Sequence, residues 1–213
     1  MLKERMRSRN ALVISMVRIS LMPLVLAMIL CVPGSALAQK IDCLECHKDL
    51  TKGKVVHAAV QMGCESCHTG VDASAIPHKF TGKKGLSAGP PDICYQCHSK
   101  DEFTKKIQHA PVAGGMCLSC HLPHSSPNDS LLIKDAFQLC SQCHEDIRKK
   151  PHVVFGSPPR GHELAGRKDP NRENKEFGCI SCHVPHSSAW GKLFRYESQN
   201  AAGLCKYCHE FMQ

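Results

Sequence analysis

Apolar residues gather in only a few places along this chain. The longest run, Leu21 to Val32, follows a basic stretch with Lys3, Arg5, Arg7, Arg9 and Arg18 and precedes Ala36-Leu37-Ala38. A basic start, a short apolar stretch and small closing residues make 1–38 a secretory leader cleaved after export. The run is short for a bilayer span, is interrupted by Pro23 and is closed by Pro33, which argues against an uncleaved anchor. Later apolar patches are brief: Leu131, Leu132, Ile133 and Leu139, then Leu193, Phe194 and Leu204. Gly- and Pro-rich connections over 69–93 and 153–178 separate other segments. The expected fold is mostly α and irregular, with short helices, long loops and little or no β-sheet.

Chemistry enters through seven copies of Cys-x-x-Cys-His. Their cysteines are Cys43 and Cys46, Cys64 and Cys67, Cys94 and Cys97, Cys117 and Cys120, Cys140 and Cys143, Cys179 and Cys182, and Cys205 and Cys208. The histidines that close them are His47, His68, His98, His121, His144, His183 and His209. In this motif two thiols form thioethers with a porphyrin and the adjoining imidazole takes the iron, so the motif reads as c-type haem attachment. Zinc sites do not require a His directly after the second Cys, and disulfide frameworks do not repeat a two-residue gap. The one cysteine left over, Cys31, lies in the leader, and bulky Leu30 before it disfavours lipid attachment. Seven histidines stand outside the motifs: His57, His78, His109, His124, His152, His162 and His186. Seven irons held by one His each need seven more axial ligands, and the count matches.

The 175 residues beyond the leader amount to 25 per motif, too few to wrap each cofactor in a conventional apolar core. Porphyrins must supply most of the buried apolar surface, and the apo chain is expected to be largely disordered.

The motifs come in pairs along 43–93, 94–139 and 140–204, with a terminal motif at 205–213. Cys117–His124 reads CLSCHLPH, Cys179–His186 reads CISCHVPH, and Ser-Ser follows each. Pro123 and Pro185 cannot continue a helix, so the chain must turn there. A histidine three residues from a proximal ligand cannot reach the far face of the same porphyrin, so His124 and His186 are expected on neighbouring haems. His57, His109 and His152 lie eight to eleven residues after a motif histidine in equivalent slots, whereas His78 and His162 sit in loops. The paired arrangement resembles the doubled-CXXCH family of multihaem c-type cytochromes. That resemblance implies an electron carrier of anaerobic respiration, often periplasmic, linking membrane quinol oxidation to terminal reductases or other cytochromes.

The formal charge of the whole chain is +8, and removing the leader leaves +4. Seven ferric haems with ionised propionates shift this to about −3, so the basic composition implies neither nucleic acid nor an anionic membrane as partner. Lys83-Lys84, Lys105-Lys106 and Arg148-Lys149-Lys150 read as solvated faces near propionates. Methionines beyond the leader are few, which favours low-potential His/His haems; Met62 and Met116 read as packing residues, as do Tyr95 and Tyr207. No motif replaces its histidine by lysine, and no iron lacks a ligand by count. The expectation is electron transfer by seven bis-His haems c rather than an enzyme. The alternatives are a haem reductase with one open iron, acting on nitrite, hydroxylamine or a sulfur oxyanion, and a subunit of a cytochrome filament.

Overall fold

Each Cys-x-x-Cys-His segment closes one helical turn. In all seven the histidine N–H donates to the carbonyl of the first cysteine, at 2.9–3.0 Å. Residues three and four apart share a helix face, so each turn presents two thiols and one imidazole on the same side. A computed structural model describes residues 41–148, 152, 162 and 167–209. The leader, Cys31, Met212 and the Lys149-Lys150 pair lie outside the described residues.

Four motif segments carry α-helical turns: α1 (Leu44–His47), α3 (Asp92–Tyr95), α5 (Ala136–Ser141) and α6 (Cys179–Cys182). The other three are 3-10 turns at Cys64–Ser66, Cys117–Ser119 and Ala202–Tyr207. In α5 the Asp135 carboxylate caps the first turn by accepting from Gln138 N–H at 3.0 Å, and in α6 Ser181 Oγ accepts from Gly178 N–H at 3.0 Å. Two further helices, α2 (Ala58–Gln61) and α4 (Ala110–Ala113), start directly after His57 and His109. Each of those histidines is thus fixed between a strand and a helix.

Among the described residues six two-residue strands form three antiparallel pairs. β1 (Val55–Val56) pairs β5 (Ser125–Ser126), β2 (Val71–Asp72) pairs β3 (Lys79–Phe80), and β4 (Ile107–Gln108) pairs β6 (Ser187–Ser188). β2–β3 is a local hairpin. The other two are long-range joints, each linking the segment before a lone histidine to the Ser-Ser that follows the Cys-x-x-Cys-His-x-Pro-His of the next motif pair. The fold is therefore irregular and mostly α, with only minimal sheets.

Phe194 is the only buried large apolar residue among the described residues. The other side chains in that class are Ser126, Ser181, Ser187, Ser188 and Asp169. Met62 and Met116 are 66% and 54% exposed, against the packing role expected for them. They lie between two one-turn elements, where no second layer of polypeptide covers them. Tyr95 packs beside Phe103, and Tyr207 stacks on Tyr196 with ring centroids 4.6 Å apart. A chain with so little apolar interior needs its buried surface from elsewhere, as small metal-dependent domains do.

Candidate functional site

The fourteen histidines meet in seven facing pairs. Ring centroids are 6.0 Å apart for His47–His78, 6.1 Å for His57–His98, 6.1 Å for His68–His124 and 6.1 Å for His109–His144. They are 5.9 Å apart for His121–His186, 6.5 Å for His152–His183 and 6.0 Å for His162–His209. Every pair joins one motif histidine to one histidine outside the motifs, and none is used twice. Two imidazoles sharing one metal sit with centroids about 6 Å apart, because each metal–nitrogen bond spans about 2.0 Å and each Nε2 lies about 1 Å from its ring centre. The seven spacings fit an iron between each pair.

Backbone carbonyls orient the rings. His68, His121 and His183 donate from Nδ1 to the carbonyls of Lys84, Ser130 and Lys192, at 2.8–2.9 Å. His57 and His109 donate to Pro123 and Pro185 at 2.9 Å, and His78 to Ala75 at 2.8 Å. A carbonyl can only accept, so in six of the seven pairs one imidazole has its proton on Nδ1 and its Nε2 lone pair free for a metal.

The carbonyls facing His68, His121 and His183 come from one repeated turn. Lys84, Ser130 and Lys192 have φ of 54–56°, and Gly85, Leu131 and Leu193 after them have φ of 58–66°. Gly70 N–H donates to Gly85 O, Leu122 N–H to Leu131 O and Val184 N–H to Leu193 O, at 2.8–2.9 Å. Ser87, Ile133 and Arg195 then donate to Cys67, Cys120 and Cys182. The turn is thus stitched to its motif on both sides of the histidine. The first pair of motifs keeps this clamp although its sequence is the least regular, because the extra residues are taken up by the β2–β3 hairpin that carries His78. The ring acceptors Ser130 and Lys192 therefore sit directly before the apolar patches at 131–133 and 193–194. The spacing of nine residues from His121 to Ser130 and from His183 to Lys192 is the signal that marks them.

Burial lowers the basicity of His124, His152, His162 and His186, and the facing histidine adds to the effect in each. These rings favour the neutral form that binds metal. Before haem attachment, burial and then the Cys117 thiol push the Cys94 thiol up to about 11, and a hydrogen bond from Cys140 draws the Cys179 thiol down to about 7. Such interactions link Cys43 with Cys64, Cys67 with Cys94, Cys94 with Cys117, Cys120 with Cys143, Cys140 with Cys179, and Cys182 with Cys205 and Cys208. Motifs adjacent in the chain are adjacent in space.

The doubled CXXCH motif family matches residues 57–103, 109–149 and 170–213. The chain belongs to this family. It is a multihaem c-type cytochrome whose haem is attached covalently through the Cys-x-x-Cys-His motifs. The family blocks run from a second motif to the next first motif, so the pairs His57–His98 and His109–His144 each fall within one block. The chain is 24% identical over 169 residues to the high-molecular-weight cytochrome c of Nitratidesulfovibrio vulgaris, covering 72% of this chain and 27% of that protein. It is 26% identical over 137 residues to the cytochrome c-type protein NrfB of Escherichia coli O6:H1, covering 55% of this chain and 71% of that one. The chain thus spans about a quarter of the first relative's length.

Proposed function

We propose that this cytochrome carries seven haems c, each iron closed by the two histidines that face one another, and that its role is electron transfer rather than catalysis. The observation that carries this reading is the complete pairing: fourteen histidines, seven facing pairs, none left over. Bound haem supplies a one-electron ferric/ferrous couple. The two histidines of each pair would hold one iron between them, which would leave that iron no position for a substrate oxygen or nitrogen. The carbonyls on Nδ1 keep the rings aligned and raise their donor strength, favouring low potentials. Cysteines of successive motifs approach one another, so haems attached there would lie beside one another and would supply a series of one-electron carriers along the chain.

The setting is a periplasmic relay of anaerobic respiration, reached through the leader at 1–38. It takes electrons from a quinol-linked membrane donor and passes them to a terminal reductase or another cytochrome. Among the described residues no helix is long and apolar enough to cross a membrane. Similarity to two cytochromes supports redox proteins as partners.

Low-temperature EPR of the oxidised protein, with carbon monoxide titrated into the reduced form, tests this. Low-spin signals alone and no CO uptake are expected. A high-spin signal near one haem per chain, with matching CO binding, would overturn the closed array and direct attention to reductase chemistry.

A further inference from the structure

The Ser-Ser pair after each Cys-x-x-Cys-His-x-Pro-His has no place in haem attachment or in iron ligation, yet it includes three of the most buried side chains. Ser126 and Ser187 are 0% exposed and Ser188 is 4% exposed. Their hydroxyls divide the work. The second serine of each pair serves its own turn: Ser126 donates to Leu132 O and accepts from Asn128 N–H, and Ser188 donates to Phe194 O and accepts from Trp190 N–H. The first serine reaches across the joint. Ser187 Oγ donates to Glu102 O at 2.7 Å and accepts from Lys105 N–H at 3.2 Å, while Ser125 Oγ accepts from Gly53 N–H at 3.1 Å.

What these first serines grip is the approach to an axial histidine from another motif pair. Glu102 and Lys105 lead into β4, which is followed by His109, and Gly53 leads into β1, which is followed by His57. One residue before Ser187 is His186, facing His121; one residue before Ser125 is His124, facing His68. His109 N–H donates to His186 O at 3.0 Å and His57 N–H to His124 O at 2.8 Å. Each joint therefore holds one ligand for an iron on each of its sides. Two-residue strands hold register weakly by themselves, and a side-chain bond across them adds the missing constraint. The joint is tight: a Cβ built on Gly53 would lie 2.4 Å from Ser126 N.

Resting on the ligand pairing proposed above, we infer that Ser187 and Ser125 are positioning residues, latches that set the axial imidazoles of two haems at once. Ser187 acts on the irons of His121 and His144, through His186 and His109. Ser125 acts on the irons of His68 and His98, through His124 and His57. Ser187 makes two bonds across its joint and Ser125 one, so Ser187 carries the larger effect.

The test uses the haem-loaded full chain, comparing wild type, Ser187→Ala and Ser125→Ala by near-infrared magnetic circular dichroism, EPR and CO titration of the reduced form. In Ser187→Ala two haems of the seven should change together, by altered low-spin signals or conversion to CO-binding high-spin forms, while five keep their wild-type signature. Ser125→Ala should move a different two, by less; it also reads the effect if Ser187→Ala fails to accumulate. No change in either variant, or an equal change in all haems, would overturn the latch. CO uptake by the wild type would instead sink the ligand pairing, independently of the serines.

Discussion

The interior joints and the C-terminal end hold neighbouring motifs together by different physics. At the joints β1–β5 and β4–β6, backbone hydrogen bonds, a proline carbonyl on a histidine Nδ1 and a serine hydroxyl do the work, and the Lys54–Asp129 ion pair beside β1 lies in the open. Around the last two motifs the contact is built differently. There a charged cluster in 167–177 bridges the last two motifs. Arg172 Nε donates to Asp169 at 2.6 Å, with both side chains largely buried, and its Nη2 reaches Ser181 Oγ at 3.4 Å. Asn171 Nδ2 lies 2.9 Å from Tyr207 O and 3.2 Å from Cys208 Sγ. The ligand pattern changes with the scaffold. Interior units exchange histidines with their neighbours, whereas His78 faces His47 and His152 faces His183 within their own units.

Deleting a ligand from each region separates the two schemes most strongly. His78→Ala should open one iron, that of His47, and take up one CO per reduced chain. His109→Ala removes the ligand facing His144 and also the Nδ1 anchor on Pro185 O, so it should disturb two haems. Equal CO stoichiometry and identical EPR changes in the two variants would break the distinction.

Asp169→Asn should destabilise the C-terminal end by about 3 kcal/mol, because it leaves the Arg172 guanidinium largely buried and unpaired. Chemical denaturation followed through the haem absorption reads this, with an early transition of the last motifs expected. A loss under about 0.5 kcal/mol would place the pair among ordinary surface ion pairs. Next in size is Gly85→Ala. Its Cβ would meet Val71 Cγ2 at 2.6 Å and Gly70 C at 2.9 Å, at a φ of +66°, so a cost of about 1–3 kcal/mol is expected in the thermal unfolding of the first clamp.

Acid should act on the two regions unequally. Burial pushes the Asp169 carboxyl up, but the Ser181 hydroxyl, Arg172 and the Asn171 N–H outweigh it and hold it below its usual range. A depressed carboxyl stabilises fully above its ordinary value and loses that contribution as pH falls through its folded value. Stability of the C-terminal end should therefore drop on acidification through and below about pH 4, while Asp169→Asn flattens this dependence. An unchanged acid profile in the variant would count against the cluster. The smallest effect is expected at Asp129, which receives Lys54 at 3.4 Å and Lys175 at 3.3 Å in the open. Asp129→Ala should change stability by under about 1 kcal/mol, and less at high salt.

Much of the site was legible in the sequence because haem attachment is a local rule. Thiols and imidazole must share one turn, so Cys-x-x-Cys-His names fourteen cysteines and seven histidines with no knowledge of the fold. Pro123 and Pro185 likewise announced that His124 and His186 leave their own motif. Which iron each of the other histidines faces was not legible, since those meetings span from 31 to 65 residues along the chain and depend on which strands pair. His57 and His152 show the difficulty. They occupy similar slots in the sequence, yet one faces a motif in the next unit and the other a motif in its own.

The sequence by itself determined the family, the covalent chemistry, the paired repeat and the shortage of apolar core, because all four are properties of spacing and composition. Only the tertiary structure decided the seven facing pairs, the left-handed turns whose carbonyls orient His68, His121 and His183, and the serines that close the joints. Those depend on backbone groups and long-range register, and a carbonyl at Lys84, Ser130 or Lys192 has no letter of its own in the sequence. The physical reason is direction. A motif states which atoms are close along the chain, whereas ligation requires two rings to point at one another across a gap that the chain reaches only by folding.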